Sequence, residues 1–187
     1  MPFPVSIKRL PVAFAAALAC TGAANAFEVQ SASIPPGGTF AAAQYYEGFG
    51  CTGGNLSPAL AWRDAPAGTR SFAVTVYDPD APTGSGWWHW MIVNLPAATQ
   101  SLPEGAGREG TNALPTGAVQ IRNDYGTAAY GGPCPPVGSA PHHYVFTVYA
   151  LKTARLDLPR DASPALAGFM IHADAIGSAQ MTVQYGR

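Results

Sequence analysis

The sequence predicts an antiparallel β-sandwich or barrel folded as one domain, on three observations. Short apolar segments with strand-like alternation recur between turns, and 21 glycines and 18 prolines punctuate the 187 residues. Helical spacing stands out in one place, near the end of the chain. No internal repeat, low-complexity tract or charge run divides the stretch between.

In chain order, residues 1–26 read as a secretory signal peptide. Lys8 and Arg9 precede the apolar run Leu10 to Ala19, and Ala24-Asn25-Ala26 supplies a small-residue cleavage site. The run is too short to cross a bilayer, and no later stretch reaches the ~18 apolar residues a spanning helix needs, so an integral membrane protein is not expected. A lipoprotein reading would acylate Cys20, but Ala17-Leu18-Ala19 before it has alanine where leucine is preferred. Residues 27–187 are then a single domain, periplasmic or secreted, long enough for one core and too short for two.

Within that domain, Ser71 to Tyr77 alternates Phe72, Val74 and Val76 against Ala73, Thr75 and Tyr77, apolar enough on both sides for a strand covered on both faces. Trp88 to Asn94, His143 to Leu151 and Ala179 to Tyr185 read as further strands. Phe27 to Ser31, Thr39 to Tyr45 and Leu60 to Arg63 are additional candidates. Leu102 to Val119 has no periodicity and reads as a long surface loop. The C-terminal helix starts from Ser163 as N-cap with Pro164 in the first position. Leu166, Phe169, Met170, Ala173 and Ile176 recur at helical spacing along it, and Gly177 is expected to stop it.

Charge and cysteine content narrow the partners. Cleavage removes Lys8 and Arg9 and no acidic residue, so the formal charge moves from −1 to −3. Lys152 is then the single lysine, no basic patch survives, and nucleic acid is not an expected partner. Cys51 and Cys134 remain, an even pair in an oxidising compartment, and are expected to form a disulfide. Closing a loop of about 80 residues contributes about 4–5 kcal/mol in the chain-entropy model. The alternative is two buried free thiols, because spacing alone does not bring sulfurs together.

The chemistry concentrates at two places. Tyr77-Asp78-Pro79-Asp80-Ala81-Pro82 leaves one strand and Trp87-Trp88-His89-Trp90 enters the next, so a hairpin would put Asp78, Asp80 and His89 at one end of a sheet. Strict alternation places Asp78 on the face of Val74 and Val76, and His89 on the face of Met91 and Val93. The second cluster is Tyr130 to Gly138 followed by Pro141-His142-His143-Tyr144, where His142 and Tyr144 share a face with Phe146 and Val148. Its prolines donate nothing, so an anion cradle in that loop would draw on the N–H groups of Gly131, Gly132, Cys134 or Gly138. Two imidazoles, a phenol and backbone amides suit a phosphate-like group, with the Asp78 or Asp80 carboxylates orienting and charging the histidines. Asp-Pro-Asp-Ala-Pro could equally be turn chemistry alone, and Trp87, Trp88 and Trp90 read as core or pocket wall. His143 and His172 read as structural or solvent-facing.

These motifs resemble those of the phosphatidylethanolamine-binding proteins, most closely the bacterial Raf-kinase-inhibitor-like branch. The resemblance is carried by Asp78-Pro79-Asp80-Ala81-Pro82, Trp88-His89-Trp90 with Val93-Asn94, Gly132-Pro133-Cys134-Pro135-Pro136 and His142-x-Tyr144. Cys51 to Pro58, Ser163 to Leu166 and Tyr185-Gly186 extend it over nearly the whole domain. It implies a sandwich of two antiparallel sheets with a C-terminal helix. It also implies a small pocket for phosphate, acetate, cacodylate or phospholipid head groups, comprising Asp78, Asp80, Pro82, His89, the Gly132, Pro133 and Cys134 backbone, His142 and Tyr144. Members of the family also inhibit kinases or a serine carboxypeptidase, and the bacterial branch is often a homodimer. Where the family usually has arginine, this chain has His143, which removes a bidentate ion-pair partner.

The resulting expectation is a small-anion-binding protein without a cofactor, rather than an enzyme, which could act as an inhibitor or modulator of a partner protein. No Gly-x-Ser-x-Gly, His-Glu-x-x-His or Walker-type motif occurs. The competing reading is a metal-dependent hydrolase using Asp78, Asp80, His89 and His142 as ligands.

Overall fold

The computed structural model describes residue 1 and residues 26–187. The leader, with Lys8, Arg9 and Cys20, lies outside the described residues. Eight strands and one α-helix follow: β1 (Glu28–Gln30), β2 (Leu60–Arg63), β3 (Ser71–Asp78), β4 (Trp87–Pro96), β5 (Ser101–Leu102), β6 (Val119–Gln120), β7 (His142–Leu151), α1 (Pro164–Asp174) and β8 (Ala175–Tyr185). They form a three-stranded sheet, β1-β2-β5, and a five-stranded sheet, β6-β4-β3-β7-β8, antiparallel throughout. The expected sandwich is therefore the architecture, and a closed barrel is not.

β3 sits at the centre of the larger sheet and is buried along nearly its whole length, as its two apolar faces require. One face, with Phe72, Val74 and Val76, packs with Trp90, Ile92, Phe146 and Val148 against Leu60, Trp62 and Leu102 of the smaller sheet. The other face, with Ala73, Met91 and Leu151, lies under Ala167 and Ile171 of α1. Burying a side chain such as Phe146 contributes roughly 1.5–3 kcal/mol, so this double layer holds the strand ends that carry the polar residues.

Three expectations are corrected. Thr39 to Tyr45 is not a strand: it contains a 3-10 turn, Ala42–Gln44, because the buried Gln44 side chain turns back to accept from the Ala41 N–H at 2.9 Å. The helix ends at Asp174, not at Gly177. There the Asp174 carboxylate accepts from the Thr153 N–H (3.1 Å) and hydroxyl (2.6 Å), and Ala175 begins pairing with β7. Gly177 lies within β8, where a Cβ would stand 2.6 Å from the Pro66 ring. The buried helix face is Ala167, Gly168, Ile171 and Asp174, whereas Leu166 and Phe169 are exposed. The small residues Ala167 and Gly168 beside Ile171 let α1 lie close on the sheet, and Leu166 and Phe169 are turned outward. The long loop is irregular from 103 to 118, its end residues being taken by β5 and β6.

Cys51 and Cys134 are disulfide-bonded, with Cα atoms 6.0 Å apart. The bond joins the turn at 48–51 to the proline-rich segment at 132–136. The Arg187 guanidinium spans the same junction, donating to the Gly50 carbonyl (2.9 Å) and to the Pro135 carbonyl (2.5 Å).

Candidate functional site

The polar residues gather where β3 ends, β4 begins and β7 begins. Asp78 is the last residue of β3 and is almost fully buried; each of its carboxylate oxygens has a partner. Oδ1 accepts from the Asp80 N–H at 2.8 Å, closing the Asp-Pro-Asp turn, and Oδ2 accepts from His142 Nδ1 at 2.8 Å. A neighbouring pair of strands places them together: β7 runs antiparallel beside β3 with Tyr77 opposite Val145, so the start of β7 lies at the end of β3 and the His142 side chain reaches Asp78. Tyr144, two residues on, shares the face and packs edge-on against His89 at 5.1 Å between ring centroids. The parity reading for Asp78, His142 and Tyr144 is thus what the structure contains.

His89 required a device that alternation does not reveal. Val76 pairs with Trp90 and Tyr77 with Trp88, which leaves His89 as an extra residue between them. Such a bulge re-aims a side chain. Consequently His89 does not share the helix-side face of Met91 and Val93; it turns toward Asp78, His142 and Tyr144. Its Nδ1 lies 2.7 Å from the Gly131 carbonyl, and the Gly131 N–H donates to the His89 carbonyl at 2.9 Å, so the loop grips both ring and backbone.

Asp80 takes a different direction from the one expected. Its carboxylate accepts from the His143 backbone N–H and from His143 Nδ1, both at 2.7 Å, on the exposed side of β7. Those bonds hold the Asp80 carboxyl below the usual carboxylate range. It orients neither His89 nor His142; its partner is His143, the residue that stands where the family usually has arginine.

The anion cradle from loop amides is also revised. Gly131 N–H is used by His89, Gly132 N–H donates to Asn55 Oδ1 at 2.7 Å, and Gly138 N–H donates to the Arg187 carbonyl at 2.9 Å. Of the four, only Cys134 N–H is left without a partner among the described residues. Gly132 and Pro133 do not line the cavity. Gly132 instead presses on the backbone of Gln44, Tyr45 and Tyr46, where a Cβ would come within 2.1 Å of the Gln44 carbonyl oxygen.

What remains is a cavity of about 230 Å³. Asp78, Pro82, His89, Cys134, His142 and Tyr144 line it, together with Phe49, Ala81, Thr83, Trp87, Tyr125, Pro135 and Pro136. Tyr125 comes from an irregular segment with no sequence signal, stacked on Tyr46 at 4.0 Å and donating to the Gly132 carbonyl at 2.9 Å. Three buried polar atoms among these residues have no partner: His89 Nε2, Tyr144 Oη and Trp87 Nε1. Burial pushes the His89 imidazole down to about 4. Burial, with the Asp78 carboxylate, raises Tyr144 and keeps its hydroxyl protonated. His89 is therefore a neutral ring here and not the charged donor that proximity to a carboxylate suggested. The hydrolase reading loses its ligand set as well, because Asp80 faces His143 and both Asp78 oxygens are engaged. Among the described residues, no three His, Cys, Asp or Glu side chains could share one ion.

Comparison with known proteins agrees with the fold. A family model described as phosphatidylethanolamine-binding protein matches residues 30–186. The UPF0098 protein YbcL of Escherichia coli (strain K12) is 54% identical over 162 residues, 87% of this chain and 88% of its own. YbhB of the same organism is 52% identical over 140 residues, 75% of this chain and 87% of its own. The crystal structure of E. coli YbcL, described as a new member of the mammalian PEBP family, matches with a TM-score of 0.84 at 53% identity, covering 86% of this chain and 98% of that one. A Chlamydia trachomatis chain described as a homologue of the same family matches with a TM-score of 0.71 at 28% identity, covering 87% and 99%.

Proposed function

The chain belongs to the phosphatidylethanolamine-binding protein family, and from that premise we propose that it is an exported binding protein that holds a small phosphate-like anion without turning it over. The observation carrying this reading is the set of unpartnered polar atoms, His89 Nε2, Tyr144 Oη and Trp87 Nε1, around one cavity beside the Asp78–His142 pair. Buried polar atoms left unpaired cost about 1–3 kcal/mol each, and a tetrahedral oxyanion entering the cavity recovers much of that. Pairing with Asp78 fixes His142 Nδ1 as a donor and leaves Nε2 for the ligand.

Binding without turnover is favoured because the cavity lacks an activated nucleophile. The Thr83 hydroxyl donates to the Gly86 carbonyl and Cys134 is held in its disulfide. Export is supported by the leader composition of residues 1–26 and by the Cys51–Cys134 bond, since disulfides persist in oxidising compartments. A phosphate or a phosphorylated head group is the proposed occupant.

Calorimetric titration with phosphorylethanolamine at pH 6 tests this. The wild type should bind, and His142→Ala should weaken binding about tenfold or more, as expected for a charge-assisted hydrogen bond. Equal affinity in both proteins would rule the site out.

A further inference from the structure

We propose that the cavity takes the singly protonated form of a phosphate monoester, with His89 Nε2 accepting the ligand's P–O–H proton and Tyr144 and Trp87 donating to its other oxygens. This rests on the anion-binding reading above and narrows the ligand class.

The inference follows from one hydrogen bond. His89 Nδ1 stands 2.7 Å from the Gly131 carbonyl oxygen, and a carbonyl oxygen can only accept, so Nδ1 carries a proton. In a neutral imidazole the other nitrogen is then an acceptor. That nitrogen, Nε2, is buried in the cavity wall and has no partner. Burial holds the ring neutral throughout the range above pH 5, which keeps Nε2 a lone pair facing the ligand. A fully deprotonated oxyanion has nothing to give it and meets lone pair with lone pair.

The surroundings favour the same form. The groups facing His89 are Asp78 from β3, Trp87 from its own strand, His142 and Tyr144 from β7, and Tyr125 from the segment after β6. No lysine or arginine lines the cavity among the described residues, and Asp78 contributes a carboxylate. A second negative charge on the ligand would be buried without a matching cation. Trp87 Nε1 can only donate, and the Tyr144 hydroxyl remains protonated, so the other oxygens of a monoanion have donors.

Free phosphate monoesters and diester phospholipids differ in this proton. A monoester has a second pKa of about 6 and is singly protonated below it. A diester carries one charge and no proton, and sulfate has neither the proton nor the single charge. The test is calorimetric titration of the full protein with methyl phosphate, dimethyl phosphate and sulfate at pH 5.5 and 7.5. Methyl phosphate should bind at pH 5.5 at least about tenfold more tightly than the other two, a factor equivalent to about 1.4 kcal/mol. Relative to dimethyl phosphate, which does not titrate in this range and so reports the protein's own groups, its affinity should fall about 20-fold by pH 7.5 as the monoanion disappears. Nitrogen NMR should find His89 protonated at Nδ1 and not at Nε2. Sulfate or dimethyl phosphate binding as tightly as methyl phosphate, or an Nε2–H tautomer, overturns the inference while leaving anion binding intact. Failure of all three anions to bind overturns both.

Discussion

Replacing Gly132 by alanine is expected to destabilise the fold by about 3 kcal/mol or more and to abolish ligand binding with it. The new Cβ would lie 2.1 Å from the Gln44 carbonyl oxygen and 2.6 Å from backbone atoms of Tyr45 and Tyr46. None of these is the end of a flexible side chain, so relief requires one backbone segment to move away from another. Overpacking alone costs about 1–3 kcal/mol. The shift also strains the Gly132 N–H bond to Asn55 Oδ1 and the Tyr125 bond to the Gly132 carbonyl. Because Asn55 also donates to the Tyr130 carbonyl at 3.1 Å, the segment that grips His89 would lose its register. Gly168→Ala is the control: a Cβ there meets nothing within 4 Å, and alanine favours the helix by up to about 1 kcal/mol. Urea unfolding of the two variants measures the contrast. A Gly132→Ala protein within 1 kcal/mol of wild type would show that the close approach carries no energetic weight.

Removing the disulfide by Cys51→Ser together with Cys134→Ser is expected to cost about 4 kcal/mol. The bonded residues are 83 apart in sequence, and the unfolded chain gains the entropy of that opened loop. Ligand affinity should fall less than stability does. The Arg187 guanidinium still ties Gly50 to Pro135, and the Tyr46 N–H still donates to the Pro133 carbonyl at 3.2 Å, so the two walls keep other links. Guanidinium unfolding in oxidising buffer, wild type against double variant, gives the value. A change under 1 kcal/mol would place the stability of this region elsewhere.

The legibility of the site followed the regularity of the backbone. Asp78, His142 and Tyr144 lie on strands that keep strict alternation near the site, and their faces could be read by counting residues. His89 could not, because a bulge inserts it between two paired positions and reverses its face. Asp80 is adjacent in sequence to the right turn, but the β7 register sets His143 beside it, and strand register is a tertiary property. Gly131 and Gly132 looked like anion donors because glycine N–H groups often are; their partners, the His89 carbonyl and Asn55, lie 42 or more residues away. Tyr125 and Phe49 carry no periodic signal and reach the cavity from irregular chain. The helix differs for a related reason: the face set on the sheet is Ala167, Gly168, Ile171 and Asp174, offset from the periodic Leu166 and Phe169, and Phe169 stays 69% exposed.

The fold class needed less. Alternating apolar segments with both sides buried require a covered sheet, and the family motifs named which sandwich. Specific ligand chemistry needs the hydrogen-bond inventory, because a histidine's role depends on what its other nitrogen touches.

The most direct test of the pocket is a crystal soaked with phosphate at pH 6. The expected result is one tetrahedral ion in the cavity between β3, β4 and β7, within hydrogen-bond reach of Tyr144 Oη, His142 Nε2 and His89 Nε2. An empty or water-filled cavity with phosphate bound elsewhere on the protein would contradict the account.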